Sequence, residues 1–225
     1  QGSGRRHSLS QGWRAAGHQA AGDRLSTPRA YVGDVHGCAA ELAELLKKLA
    51  GHQVVLLGDL FTKGPDPLGV WSLIQEHRLV SVLGNHDVAV IRDPEKHPWL
   101  TPEILSYLQT LPLMRKEGRF VAVHAAVHPK MGHQGTQRAV ATLMRRFPDE
   151  TPGNPFWYDA GWEGPECVVF GHDAVRGLVR RERKGRPIAI GLDTGCVYGG
   201  QLSAYLAEQD IVVQVKAKRA YKPLK

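Results

Sequence analysis

Three apolar runs, Ala30-Tyr31-Val32, Val54-Val55-Leu56-Leu57 and Leu79-Val80-Ser81-Val82-Leu83, each stop at a glycine that opens a polar island. The islands are GDVHG (Gly33 to Gly37), GDLFTKG (Gly58 to Gly64) and GNHD (Gly84 to Asp87), and all three fall within 55 residues. Runs this short, rich in leucine and β-branched residues, read as buried strands and not as helices. A glycine at a strand's C-terminal edge lets the chain turn sharply, so the side chains that follow point into a crevice. Those side chains are Asp34 and His36, Asp59, and Asn85 and His86.

Between the islands the spacing turns helical. Cys38 to Leu49 sets Ala39, Leu42, Leu45, Leu46 and Leu49 on one stripe, with Glu41, Glu44, Lys47 and Lys48 opposite and Glu44 and Lys48 spaced for an ion pair. Pro65 or Pro67 opens a second helix, whose apolar side is Leu68, Trp71, Leu73 and Ile74. Strands alternating with helices predict a layered α/β domain.

Two later histidines also end strand-like runs. Phe120-Val121-Ala122-Val123 leads into His124, and Cys167-Val168-Val169-Phe170-Gly171 into His172, so both imidazoles should reach the same crevice. Two carboxylates, three histidines and an asparagine then converge, with His86 spare beside Asn85. Oxygen and nitrogen donors without thiolate favour manganese, iron, zinc or cobalt over an iron–sulfur cluster or structural zinc. A bridging carboxylate can hold two such ions about 3.5–4 Å apart, a spacing that clamps a phosphoryl group.

GDVHG, a GD with a following KGP segment, GNHD, a strand-end histidine and the later FGH resemble, in that order, the metallophosphoesterase superfamily and its phosphoprotein phosphatase branch. FGHDAVRG (Phe170 to Gly177) and IGLDTGCVYGGQLSAY (Ile190 to Tyr205) are similar to the ApaH-like subgroup, the symmetrical diadenosine tetraphosphatases. The resemblance runs from about Tyr31 to Val213. It implies an α/β metallophosphoesterase sandwich of two mixed sheets flanked by helices (α/β/β/α), a fold to which the order of elements also points. It also implies two divalent ions, manganese first. Asp34 and His36 would hold one, Asp59 would bridge, and Asn85, His124 and His172 would hold the other. His86 would be the general acid, and a metal-bridging hydroxide would attack the phosphoryl group in line with no phosphoenzyme.

Where protein phosphatases carry aspartate and arginine after the bridging aspartate, this chain has Thr62 and Lys63. The missing aspartate removes a partner for His86, and lysine offers phosphate a point charge and not a fork. Lys63, Asn85, Arg176 and Tyr198 are the expected substrate contacts. The leading reading is hydrolysis of diadenosine tetraphosphate to two ADP, or of a related RNA 5′ cap. A serine/threonine protein phosphatase is the alternative, and a catalytically dead interaction module the third.

At 225 residues, 42% of them hydrophobic, the chain is long enough for one domain with a sizeable core. Its net charge of +7 favours anionic partners. Arg180 to Lys184 and Lys216, Lys218, Arg219, Lys222 and Lys225 look like a solvated hairpin turn and a tail, or a track for RNA 5′ ends. No P-loop, RNP-type, helix-turn-helix or zinc-finger pattern accompanies them. Cys38, Cys167 and Cys196 suit a reducing, cytoplasmic setting without disulfides. No run approaches the roughly 18 apolar residues of a membrane span, and no stable protein partner is expected. Residues 1–29 hold five arginines and one acid and read as a disordered leader or an organelle transit segment, residues 30–215 as the catalytic domain, and residues 216–225 as a basic tail.

Before the second histidine, Pro102 to Thr110 and Gly135 to Arg146 should be helical, the latter with Val140, Leu143 and Met144 inward. Pro148 to Pro165 is an aromatic loop that walls the site or caps the core; the resemblance implies that specificity elements are inserted in this stretch between the ligands, and its shortness here then implies an open cleft. Ile188 to Leu192, Leu202 to Leu206 and Ile211 to Val215 should complete a second sheet by hairpins at Gly199-Gly200 and Gln209-Asp210. The remaining histidines, including His7, His18, His52, His77, His97 and His133, are taken as surface.

Overall fold

Side chains alternate between faces along every central strand, and that alternation divides the core into three apolar layers. The computed structural model describes residues 27–223. The chain enters through β1 (Arg29–Val32), α1 (Ala39–Lys48), β2 (Gln53–Leu56), α2 (Pro67–Glu76), β3 (Val80–Ser81) and α3 (Asn85–Arg92). A 3-10 turn at Pro94–Lys96, α4 (Pro102–Thr110), the antiparallel pair β4 (Met114–Glu117) and β5 (Phe120–Val123), and the short helices α5 (Gly132–Gly135) and α6 (Arg138–Leu143) follow. The chain ends with β6 (Cys167–Phe170), β7 (Val179–Arg183), β8 (Arg186–Gly191), β9 (Gln201–Leu206) and β10 (Ile211–Lys216).

Two mixed five-stranded sheets result, in the orders β10-β9-β1-β2-β3 and β4-β5-β6-β8-β7. Tyr31, Val55 and Tyr205 from the first sheet meet Phe120, Ala122, Val169 and Ile190 from the second, and form the layer between them. The alternate residues Ala30, Val32, Val54 and Leu56 face α1, α2 and α4. Val121, Val123, Val168 and Ala189 face α6 and the loop carrying Trp157, Tyr158 and Trp162. The architecture is therefore the expected α/β/β/α sandwich. Each fully buried aliphatic or aromatic side chain contributes about 1.5–3 kcal/mol, so the inter-sheet layer also fixes how the two sets of strand ends meet.

Several local expectations are corrected. The last three strands do not share a sheet: β8 lies in the second, parallel to β6, whereas β9 returns to the first, antiparallel to β1. Leu202, Ala204 and Leu206 belong to the helix-facing layer, so the segment around Gly199-Gly200 is a crossing between sheets and not a hairpin. The turn at Gln209-Asp210 does join a hairpin. Arg180 to Arg183 are strand β7, with the turn only at Lys184-Gly185. In α1 the apolar stripe is buried as expected, but Lys48 donates to the Gln214 carbonyl (2.9 Å) and makes no ion pair with Glu44. Glu41 is buried, accepting from Lys218 N and Tyr221 Oη. In α2, Val70 and Ile74 are inward and Leu68 is exposed. In α6, Ala141 and Thr142 are inward while Leu143 is exposed. No helix among the described residues is long and apolar enough to cross a membrane. The expected leader falls outside the described residues except for Thr27 to Arg29, as do His7, His18 and Lys225.

Candidate active site

The C-terminal ends of β1, β2, β3, β5 and β6 open on one side of the sandwich, and the loops leaving them carry the predicted donors. Of seven non-glycine residues with positive φ among the described residues, four stand there: His36 (47°), Asp59 (54°), Lys63 (71°) and His172 (71°). Each such conformation costs of the order of 1–3 kcal/mol and persists only where its surroundings impose it. Asp87 imposes part of it. Its Oδ2 accepts from Asp59 N (2.8 Å) and Gly84 N (3.0 Å), and its Oδ1 from Leu60 N (3.0 Å), which ties the second and third islands together. The glycines permit the closeness: a Cβ at Gly171 would lie 2.0 Å from Asp34 Oδ1, and one at Gly84 would lie 2.2 Å from Asp59 Oδ1.

Hydrogen bonds fix the proton positions of the two strand-end histidines. His124 Nδ1 lies 2.7 Å from the Leu57 carbonyl, which can only accept, so Nδ1 carries the proton and Nε2 is a bare lone pair. His172 Nε2 donates to the Leu143 carbonyl (3.1 Å), leaving Nδ1 bare. These two lone pairs face each other at 3.2 Å, and Asn85 Oδ1 lies 2.9 Å from each. Burial holds both rings neutral: His124 is pulled down to about 4, and His172 to about 2 with help from His124 and Arg145. Three converging acceptors with no donor between them form a seat for a cation.

A second seat adjoins the first. Asp59 Oδ1 lies 3.5 Å from His124 Nε2, while its Oδ2 lies 3.5 Å from His36 Nε2, so one carboxylate looks both ways. Asp34 Oδ2 is 3.8 Å from His36 Nε2, and Asp34 Oδ1 accepts from His172 N (3.0 Å). Burial, then Asp193 and Asp59, hold the Asp34 carboxyl well above the usual range, and burial raises Asp59 as well. Buried carboxylates that repel one another, beside unprotonated imidazoles, are a donor set that divalent cations satisfy. The donor atoms of Asp34, Asp59 and His124, and those of His36, Asp59 and His86, each gather within 4.8 Å.

Above the donors lies a cleft of about 820 Å³, lined by Asp34, His36, Asp59, Asn85, His86 and His172 on its floor and by Lys63, Arg176 and Tyr198 at its sides. His124 is fully buried just beneath. Lys63 reaches into the floor, with Nζ 3.1 Å from His36 Nε2 and 5.4 Å from the Tyr198 ring centre. Thr62 faces His36 Nδ1 (3.3 Å). The His86 ring stands edge-on to His36 (5.1 Å), its backbone N–H donates to Asp59 Oδ1 (2.9 Å), and burial lowers its pKa. Arg176 stands at the mouth over Phe156, 4.0 Å from the ring centre. The aromatic loop divides its roles: Trp157, Tyr158 and Trp162 are core, while Phe156 walls the cleft.

Sequence reasoning missed several residues that line this cleft. Asp193 follows β8 as Asp34 follows β1, and the Ile188-Ala189-Ile190 run before it was the available signal. Burial raises its carboxyl to about 6. Arg145, Arg146 and Asp173 come from irregular segments with no periodicity to mark them. Lys222, read as tail, lines the mouth because its backbone N–H and that of Tyr221 bond to the Val197 carbonyl.

The chain is 29% identical over 272 residues to a symmetrical bis(5′-nucleosyl)-tetraphosphatase of Bordetella pertussis (strain Tohama I), covering 85% of this chain and 96% of that protein. It is 24% identical over 237 residues to the asymmetrical bis(5′-nucleosyl)-tetraphosphatase PrpE of Anoxybacillus flavithermus (strain WK1), covering 84% and 94%. A crystal structure of a candidate diadenosine tetraphosphatase superposes with a TM-score of 0.76 at 34% identity, covering 86% of this chain and 95% of that one. Residues 28–187, well over half of the sequence, match the calcineurin-like phosphoesterase model, and the chain belongs to that family.

Proposed function

We propose that the protein hydrolyses a phosphoanhydride bond of dinucleoside polyphosphates, converting diadenosine tetraphosphate to two ADP, with residues 30–215 as its catalytic unit. The observation that carries this reading is the pair of donor seats sharing Asp59 on the floor of a cleft with cationic walls. Asp34 and His36 would hold one divalent ion, Asn85, His124 and His172 the other, and Asp59 both; manganese suits these oxygen and nitrogen donors. When bound, such ions act as Lewis acids on the phosphoryl group and make water nucleophilic at neutral pH.

The chain's own residues do the rest. The carbonyls of Leu57 and Leu143 hold the protons of His124 and His172 away from the cleft, so both rings present lone pairs without a preceding proton loss. Lys63 would offset charge on the reacting phosphoryl group, and the Tyr198 ring beside it limits where its flexible chain can go. His86, whose side chain lines the cleft, would give a proton to the leaving phosphate oxygen. Lys222 lies at the cleft mouth and is exposed, as are Lys218 and Arg219, which supports acceptance of longer substrates such as capped RNA 5′ ends. Three free, buried cysteines support a reducing, cytoplasmic setting.

The test is chromatographic product analysis after manganese-loaded protein meets diadenosine tetraphosphate and, separately, a phosphoserine peptide. ADP alone supports the proposal. Relatives carry both symmetrical and asymmetrical names, so ATP with AMP would keep the substrate and move the cleaved bond. Phosphate from the peptide with the dinucleotide intact would overturn the proposal in favour of a protein phosphatase.

A further inference from the structure

The cleft wall nearest the second sheet carries charge that the reaction at the floor does not use. Two guanidinium groups stand over the half-buried ring of Phe156, Arg146 at 4.2 Å and Arg176 at 4.0 Å from its centre. Phe156 in turn stacks on buried Tyr158, with centroids 5.5 Å apart and planes within 6°. Tyr158 is packed against Phe170 and carries Arg181 at 5.1 Å. The stack is therefore anchored in the core at Tyr158 and holds two cations against Phe156.

Those cations lack carboxylate partners. Arg145, Arg180 and Arg181 pair with Asp173, Asp210 and Asp159, whereas neither the Arg146 nor the Arg176 guanidinium has a carboxylate oxygen within 4.0 Å among the described residues; Glu150 Oε1 accepts from the backbone N–H of Arg146 (3.1 Å) and not from its side chain. Arg146 Nη1 donates to the Asn154 carbonyl, which fixes its orientation. A guanidinium lying on an aromatic ring leaves the N–H groups at its edge able to donate; Arg146 uses Nη1 on Asn154, and the other N–H groups of the two side chains match phosphate oxygens. Both arginines line the cavity that has Asp34, Asp59 and His172 on its floor.

We propose that Arg146 and Arg176, held on Phe156, form an outer anion subsite for the phosphates adjoining the one that reacts. The cleft thereby selects linear chains of three or more phosphates over simple monoesters. This deepens, and rests on, the polyphosphate reading of the same cleft. Phe156 sets specificity by positioning two forks, so that a second and third phosphate bind while the reacting one sits over the floor.

The experiment is calorimetric titration of inorganic tripolyphosphate into metal-free protein at about 0.15 M salt, where exposed charges are well screened. R146Q/R176Q should weaken binding about 30-fold through loss of two charge-assisted contacts. R176Q alone, at an exposed side chain that leaves the Arg146 to Asn154 bond intact, should weaken it about fivefold. K184Q/R186Q, which removes equal charge at the exposed tip of the β7–β8 hairpin, should stay within about twofold, the bound expected of screened charge. Tripolyphosphate binding unchanged in R146Q/R176Q, undetectable in the wild type, or weakened equally by K184Q/R186Q would overturn the subsite. Turnover of diadenosine tetraphosphate by the manganese-loaded wild type is read separately. No turnover, with the tripolyphosphate pattern intact, removes the proposed reaction and leaves the subsite; turnover with a flat tripolyphosphate series does the reverse.

Discussion

His124 Nε2 and His172 Nδ1 face each other at 3.2 Å with no proton between them, because the outer nitrogen of each ring donates to a backbone carbonyl. Two lone pairs at that distance repel, and a cation between them turns the repulsion into attraction. Binding to the folded state alone stabilises by about 2.7 kcal/mol at 100 times Kd, and a protein of this size gains about 2–4 °C per kcal/mol. Saturating manganese should therefore raise Tm by about 5–10 °C, and chelator should reverse it. In His124→Ala the increment should fall by more than half. An equal increment in the variant, read by scanning fluorimetry, would remove His124 from the ion-holding set.

Asp59 turns one oxygen toward His124 and the other toward His36. Asn would keep the shape and the amide contact from His86 N while removing the charge that serves both seats. Asp59→Asn should lose at least one equivalent of manganese by elemental analysis and, since ion catalysis is worth several kcal/mol, about 10³-fold in turnover. Full metal content with full rate would sink the shared-carboxylate assignment.

The residues on the floor of the cleft were legible because they follow a rule of local structure: an apolar run, a glycine and a polar donor. The rule placed Asp34, Asp59, Asn85 and His172 at strand ends with no knowledge of sheet order, and His124 follows its apolar run directly, without the glycine. Applied to Ile188-Ala189-Ile190, the same rule would have found Asp193. The walls were not legible. Arg146 and Phe156 meet through a loop without periodicity, and Lys222 is drawn in by backbone bonds to Val197 that no composition signal announces. The assignment of β9 and β10 to the first sheet also escaped, because Leu202, Ala204 and Leu206 look alike whichever helix layer they face.

Gly171 separates the strand-end Phe170 from His172, and the space for its missing side chain is filled by Asp34. A Cβ there would stand 2.0 Å from Asp34 Oδ1, the atom that also accepts from His172 N. Gly171→Ala forces one of these donors to move, at a cost of about 1–3 kcal/mol typical of overpacking. We expect Tm to drop by roughly 2–12 °C and manganese affinity to fall. Native Tm and affinity together would show that the floor has slack that the packing does not suggest.

Acid should loosen the β9–β10 hairpin, at a pH below that at which the raised carboxyls of the floor take up protons. Asp210 accepts from Arg180 twice (2.8 and 2.8 Å) and from Tyr205 Oη (2.7 Å), and Arg180 first, then the tyrosine hydroxyl, hold it down to about 2. A carboxyl depressed in the folded state stabilises it above the unfolded pKa of about 4 and loses that contribution as pH falls toward 2. The site is nearly half exposed, so after discounting for solvent screening the contribution is about 0.5–1 kcal/mol. Asp210→Asn should be less stable than wild type at pH 7 and equal to it near pH 2. A constant gap across a urea-denaturation series would contradict this linkage.

His86 holds Asp59 through its backbone N–H alone, while its ring faces the cleft beside His36. Acting as general acid, it matters most where the departing oxygen is basic, since proton donation contributes about 10²–10⁴ in such cases and little to a leaving group already stable as an anion. His86→Asn should keep manganese content and the Tm increment yet lose at least about tenfold more rate on phenyl phosphate, whose phenol has a pKa of about 10, than on the nitro-substituted ester. Burial lowers the pKa of this ring, so its protonated form is depleted as pH rises through a value below the ordinary imidazole range. The gap between wild type and variant on phenyl phosphate should accordingly narrow from pH 6 to pH 9. Equal losses on both esters, or a gap that widens with pH, would assign His86 to phosphate binding and leave the proton to be delivered by solvent.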